Sequence, residues 1–213
     1  MKVYGDTTDQ TLFVYVCDKE ELGSAENVYS SLCSLTERRD FGVLVYGVNS
    51  WFEDLSPWEA PPVFGKQAFG SGAEKTLSEI IGVLEPYIFE GKTIYICGYS
   101  LAGLFTLWAS TQSPVFSGVC AASPSVWFPS WLSFVEKNPV KASKVYLSLG
   151  DKEEKSKDPV MATVGQCMKK QYEKLLKEGK NCYFELNRGN HFTDADLRVA
   201  KGMAWLLNTE PQR

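Results

Sequence analysis

Apolar residues in this chain are bunched into short runs, separated by longer stretches in which they recur every three or four positions. Six runs rich in β-branched and aromatic residues predict strands over 11–17, 41–47, 93–98, 118–123, 144–150 and 181–186. The middle four are almost uninterrupted apolar sequence, as expected of strands covered on both faces. Between them the period changes. Val28, Leu32 and Leu35 stripe a predicted helix over 24–38, and Leu77, Ile80, Ile81 and Leu84 stripe another over 72–88 that should end near Pro86. The stretch 101–110 is apolar nearly all round, which fits a helix buried at the centre of a sheet. Segments 160–178 and 194–207 complete the helical set. Strand and helix alternate, so the expectation is an α/β protein with a doubly wound, mostly parallel sheet.

Two stretches break the alternation. Residues 47–72 form an irregular segment rich in Trp, Pro and Phe, which predicts an ordered loop lining something. Residues 124–143 leave room for a short helix but not for a lid domain.

The chemistry is concentrated where the third strand meets the all-apolar helix, in Gly98-Tyr99-Ser100-Leu101-Ala102-Gly103. A serine on so tight a strand-to-helix turn takes strained backbone angles that lift its hydroxyl clear of the sheet. The positions two residues either side must be small, and here they are Gly98 and Ala102, the latter where the strict motif has a second glycine. Gly103 lets the helix lie close to the strand. Leu101 then offers a free backbone N–H at a helix N-terminus, suited to a developing oxyanion.

His191 is the chain's single histidine, and it follows the last predicted strand in Asn187-Arg188-Gly189-Asn190-His191-Phe192. The chain order serine, acid, histidine is the one this type of site uses, with His191 as the base for Ser100. The acid should lie just past 144–150, where Asp151, Glu153 and Glu154 are all available. Glu153 is favoured because a Gly-x-x-acid spacing from Gly150 commonly carries the acid in this fold; a two-residue site without an acid stays open.

These segments resemble the putative esterase family of α/β-hydrolases, which includes siderophore esterases, S-formylglutathione hydrolase and feruloyl or acetyl esterases. The likeness spans about residues 40–207 and rests on GYSLAG, FSGVCAASPSVWF, GDKEE and GNHFTDADLRVAKGMAWLL. The run Ser123-Pro124-Ser125-Val126-Trp127 is similar to the siderophore-esterase branch in particular. The resemblance implies a minimal α/β-hydrolase fold without a large cap, Ser100 as nucleophile, His191 as base and Glu153 as acid. It further implies oxyanion donors from Leu101 and from the loop after the second strand, at Trp51. Among the aromatics flanking the site, Trp58, Trp127 and Tyr99 are candidates to contact substrate. Larger members carry an N-terminal domain and longer loops, so a bulky substrate such as a siderophore is not expected here.

Composition narrows the picture without redirecting it. The 213 residues suit one domain, 1–213, large enough to bury a core without a staple. A formal charge of −4 with no cationic run argues against nucleic acid as partner. No apolar segment approaches a membrane span and the N-terminus has no signal-peptide pattern. The cysteines at 17, 33, 97, 120, 167 and 182 form no CxxC pair and read as small hydrophobes in a reducing compartment, hence a cytoplasmic expectation. One histidine and no clustered cysteines disfavour a zinc site. The Gly91-Lys92-Thr93 and 70–76 near-misses to a phosphate loop lack the needed glycines. The expectation is therefore a serine esterase that works without cofactor or metal on a small-molecule ester, or less readily a catalytically inactive relative or an acyltransferase.

Overall fold

The structure is a computed structural model that describes residues 1–63 and 65–209. Seven strands form one sheet in the order β1-β3-β2-β4-β5-β6-β7. They are β1 (Lys2–Gly5), β2 (Thr11–Asp18), β3 (Phe41–Val48), β4 (Thr93–Tyr99), β5 (Gly118–Ala122), β6 (Lys144–Gly150) and β7 (Asn181–Asn187). All neighbours run parallel except β1, which lies antiparallel on β3. The six expected strands are thus present, and β1 is an addition. Four residues long and mostly exposed, β1 has too little apolar pattern to announce itself.

The helices are α1 (Ala25–Leu35), α2 (Trp51–Asp54), α3 (Ala73–Phe89), α4 (Ser100–Gln112), α5 (Trp131–Lys137), α6 (Val164–Lys177) and α7 (Ala195–Asn208). Helix α2 falls inside the segment 47–72 that was expected to be an irregular loop, and two further helices differ from expectation. Helix α3 continues past Pro86 to Phe89. A proline in the final turn forfeits one hydrogen bond rather than breaking a long helix that packs on the sheet. Helix α6 starts at Val164, because a separate 3-10 turn, Met161–Thr163, takes up the segment before it. Between β5 and β6 only α5 is inserted, so nothing of cap size covers the carboxyl edge there.

Strand alternation divides the core into two layers. Leu12, Val14 and Val16 of β2 face one layer with Leu77, Ile80 and Leu84 of α3 and Leu104 and Leu107 of α4. Phe13, Tyr15 and Cys17 face the other, with Val28 and Leu32 of α1 and Val199 and Met203 of α7. Helices α1 and α7 therefore cover one face and α3, α4 and α6 the other, the doubly wound arrangement expected. Helix α4 is buried at every position from Leu101 to Thr111. It runs under the centre of the sheet, and its first residue is Ser100.

Candidate active site

The site lies where the parallel strands end, and each of its three polar side chains hangs on a different strand-to-helix connection. Ser100 joins β4 to α4 with φ 57°, in the left-handed region that a non-glycine residue enters only under constraint. The constraint is packing. A Cβ on Gly98 would sit 2.6 Å from the backbone of Ala102, and one on Gly103 would sit 3.2 Å from carbonyl oxygens of Gly98 and Ala122. Small residues at 98 and 103 let helix and strand close on each other, and the turn throws the Ser100 hydroxyl outward.

The imidazole of His191, on the connection between β7 and α7, meets that hydroxyl with Nε2 2.9 Å from Ser100 Oγ. Its Nδ1 lies 2.7 Å from Oε2 of Glu153, in the 3-10 turn Glu153–Lys155 just after β6. A carboxylate only accepts, so the proton on a neutral ring belongs on Nδ1, leaving Nε2 to accept from the serine. Ser100, His191 and Glu153 thus form one chain of hydrogen bonds. The rival carboxylates point elsewhere. Asp151 accepts from the Gly189 N–H at 2.8 Å, and Glu154 lies over Gly165 at the start of α6.

Glu153 has a side chain only 4% exposed, and it is held by more than the histidine. Its Oε1 accepts from the Ser123 hydroxyl at 2.7 Å, the Gly150 N–H at 2.7 Å and Nη1 of Arg198 at 2.8 Å. Burial by itself would push its carboxyl up. The hydrogen bond and charge of His191, with the bonds from Ser123 and Gly150, outweigh this and hold it below the usual carboxylate range.

Arg198, on α7, is the residue that sequence reasoning missed. Its side chain is 1% exposed. Besides Glu153, Nη1 donates to Ser123 Oγ at 3.0 Å and Tyr99 Oη at 3.2 Å, while Nη2 donates to the Asn190 carbonyl at 2.9 Å. Tyr99 in turn donates to the His191 carbonyl at 2.6 Å, and its ring centroid is 5.3 Å from that of His191. The guanidinium therefore fastens Glu153, Tyr99 and the His191 loop together. Ser125 was likewise not singled out: its N–H donates to the Ser100 carbonyl at 3.0 Å, and its hydroxyl oxygen is 3.5 Å from Ser100 Oγ.

The remaining expected site residues fall in distinct places. Leu101 occupies the first turn of α4 and Trp51 opens α2, directly after β3. The N–H groups of Asn49 and Ser50 both go to Asp54 Oδ2, at 2.9 and 2.8 Å, so Trp51 carries the first uncommitted N–H of that connection among the described residues. Trp127 lines a cavity of about 180 Å³ beside His191. Trp58 does not line that cavity; it donates to the Pro129 carbonyl at 3.0 Å and packs its ring against Phe128 and Phe134. Tyr99 supports His191 from its backbone side rather than lining the cavity. Among the described residues no group of three His, Cys, Asp or Glu side chains could hold a metal ion, and no helix is long and apolar enough to cross a membrane.

No protein-family model and no curated protein sequence matches the chain. Solved structures do. The siderophore hydrolase EstA from Aspergillus nidulans superposes with TM-score 0.68 at 19% identity, over 97% of this chain and 86% of its own. An IroE-like serine hydrolase from Shewanella oneidensis gives TM-score 0.75 at 18% identity, over 97% and 74%. The enterobactin esterase FES from Shigella flexneri gives 0.68 at 15% identity, and there the match covers 97% of this chain but 54% of the esterase. What these chains share with the present one, across so little common sequence, is the α/β-hydrolase fold.

Proposed function

We propose that the protein is a serine hydrolase that cleaves a carboxylic ester or thioester through an acyl-enzyme on Ser100. The observation that carries this reading is the continuous chain Ser100 Oγ to His191 Nε2 at 2.9 Å and His191 Nδ1 to Glu153 Oε2 at 2.7 Å, on a serine in a left-handed elbow.

The chemistry follows from that geometry. His191 takes the Ser100 proton as the hydroxyl oxygen attacks the substrate carbonyl, and the positive charge on the ring is balanced by Glu153. Negative charge gathers on the former carbonyl oxygen, where the Leu101 and Trp51 N–H groups would each contribute about 3 kcal/mol of stabilisation. As the tetrahedral adduct collapses, His191 returns its proton to the departing oxygen. Water, deprotonated by the same imidazole, then attacks the acyl-enzyme and releases the acid. The siderophore hydrolase EstA, the enterobactin esterase FES and a ferulic acid esterase, all of similar fold, support this reading.

The test is labelling with a fluorophosphonate probe together with pre-steady-state hydrolysis of an activated para-nitrophenyl ester. Stoichiometric label and a product burst, both absent from Ser100→Ala, are expected. Folded wild-type protein that takes no label is instead a binding module on a hydrolase fold.

A further inference from the structure

Two sides of a serine ester site are chemically unequal. The oxyanion lies toward the free N–H groups, whereas the departing oxygen lies toward the imidazole that protonates it. The 180 Å³ cavity is lined by His191 and Glu153 but not by Ser100, Leu101 or Trp51. It therefore sits on the leaving-group side. Its other walls are of three kinds, of which Ser156 and Asn190 are the neutral polar part. Trp127, Met161, Val164 and Phe192 make it apolar, and Phe192 is 88% exposed although it stands edge-on to the His191 ring. Lys152 and Lys155, both exposed, belong to the same lining, and among the described residues neither is in an ion pair.

The anions near these lysines, other than Glu153, are held away from the cavity, and Glu154 reaches toward Gly165 at the start of α6. Glu153 is balanced by Arg198 behind it, at 2.8 Å. Asp151 holds the Gly189 N–H, and Asp158 accepts from the N–H groups of Val160 and Met161 at 2.9 and 3.0 Å. None of the carboxylates of this loop other than Glu153 lines the cavity. The cavity, open to solvent on one side, has room for a ring, since about 150 Å³ suffices to hold benzene.

We infer that this cavity receives the alcohol half of the ester, and that this alcohol is a ring-sized hydroxy acid whose carboxylate meets Lys152 and Lys155. The inference rests on the ester-hydrolase reading and specifies its substrate class. In the reaction the bond between the acyl carbon and the alcohol oxygen breaks, the acyl group passes to Ser100 Oγ, and the Ser100 proton travels through His191 to the departing oxygen. The hydroxy acid leaves with its carboxylate unchanged.

The test compares the acetate ester of para-hydroxybenzoate with the acetate ester of its neutral methyl ester, each rate divided by that ester's own hydroxide-catalysed rate. The expected result is a kcat/KM ratio favouring the anionic ester by about tenfold, the strength of two solvent-exposed ion pairs acting together. High salt should shrink that ratio. In Lys152→Glu/Lys155→Glu the ratio should fall to one or below; being taken within one protein, it is insensitive to the amount of folded enzyme. A carboxylate placed on the acyl half, in a para-nitrophenyl hemisuccinate set against the butyrate, should bring no such gain. Turnover of both acetate esters at equal normalised rates, or a preference that survives the double variant, overturns the anionic-alcohol assignment while leaving the hydrolase reading standing. Absence of both turnover and fluorophosphonate labelling overturns the hydrolase reading itself, and this inference with it.

Discussion

Glu153 is asked to do two things that pull against each other, since it must keep its charge while buried and must also lean on an imidazole. The bonds at Oε1 settle the first, and leave Oε2 for His191. Glu153→Gln should therefore lower kcat by two to four orders of magnitude (~10²–10⁴), the cost of an imidazole that loses its orienting charge. Asp151→Asn should stay within a fewfold of wild type, because Asp151 closes the loop through Gly189 rather than touching the ring. Steady-state kinetics on one activated ester separates the two. Arg198→Met leaves the Glu153 carboxylate buried without its cation and should destabilise the fold by about 3–5 kcal/mol in urea unfolding. The same carboxylate links stability to pH. Its folded value lies below the unfolded one, so its contribution is complete above the unfolded value and is lost as pH falls through the folded one. The stability gap between wild type and Glu153→Gln should be full near neutrality and close progressively in acid.

At the scale of elements, the strand-turn-helix of β4 and α4 is the part of the site that sequence makes visible. Its strain, its small neighbours and its apolar helix are all contiguous in the chain. Gly98→Val should forfeit both fold and labelling, because its side chain would enter the space held by the Ala102 backbone; a lowered melting temperature together with lost fluorophosphonate reactivity is the expected pair of readings. Glu153 was legible as a preference among three carboxylates, on its spacing from Gly150; what position does not show is that its side chain, unlike those of Asp151 and Glu154, turns to His191. Arg198 was not legible at all. It lies 75 residues from Ser123, 99 from Tyr99 and 45 from Glu153, and inside an amphipathic helix an arginine reads as surface. Aromatic residues misdirect for a related reason. Trp58 occurs in a loop and Tyr99 at the end of β4, both near Ser100 or His191 in the chain or in space, yet the one packs among Phe128 and Phe134 and the other braces the His191 loop. Strand β1 escaped because an exposed four-residue edge has no periodicity to detect.

Over the whole molecule, the sheet supplies the site with rigidity from two independent layers. One layer packs α4 beneath Ser100, and the other packs α7, whose Arg198 reaches through to the acid. The doubly wound, mostly parallel sheet was legible from the alternation of strand and helix, since strands buried on both faces need helices on both. No disulfide contributes: Cys17, Cys33, Cys97, Cys120, Cys167 and Cys182 are all free. The melting temperature should accordingly be the same with and without a reducing agent, as differential scanning calorimetry would show; a drop on reduction would mean a covalent link that this fold does not use.

The sole imidazole makes the molecule spectroscopically simple at one point. With one histidine in the chain, and its Nδ1 hydrogen bonded to a carboxylate at 2.7 Å, every imidazole-nitrogen signal in a magnetic resonance spectrum originates from His191 and needs no assignment. A single far-downfield proton would then report acylation, inhibitor capture or occupancy of the adjoining cavity as each takes place, in unlabelled background and without altering a residue.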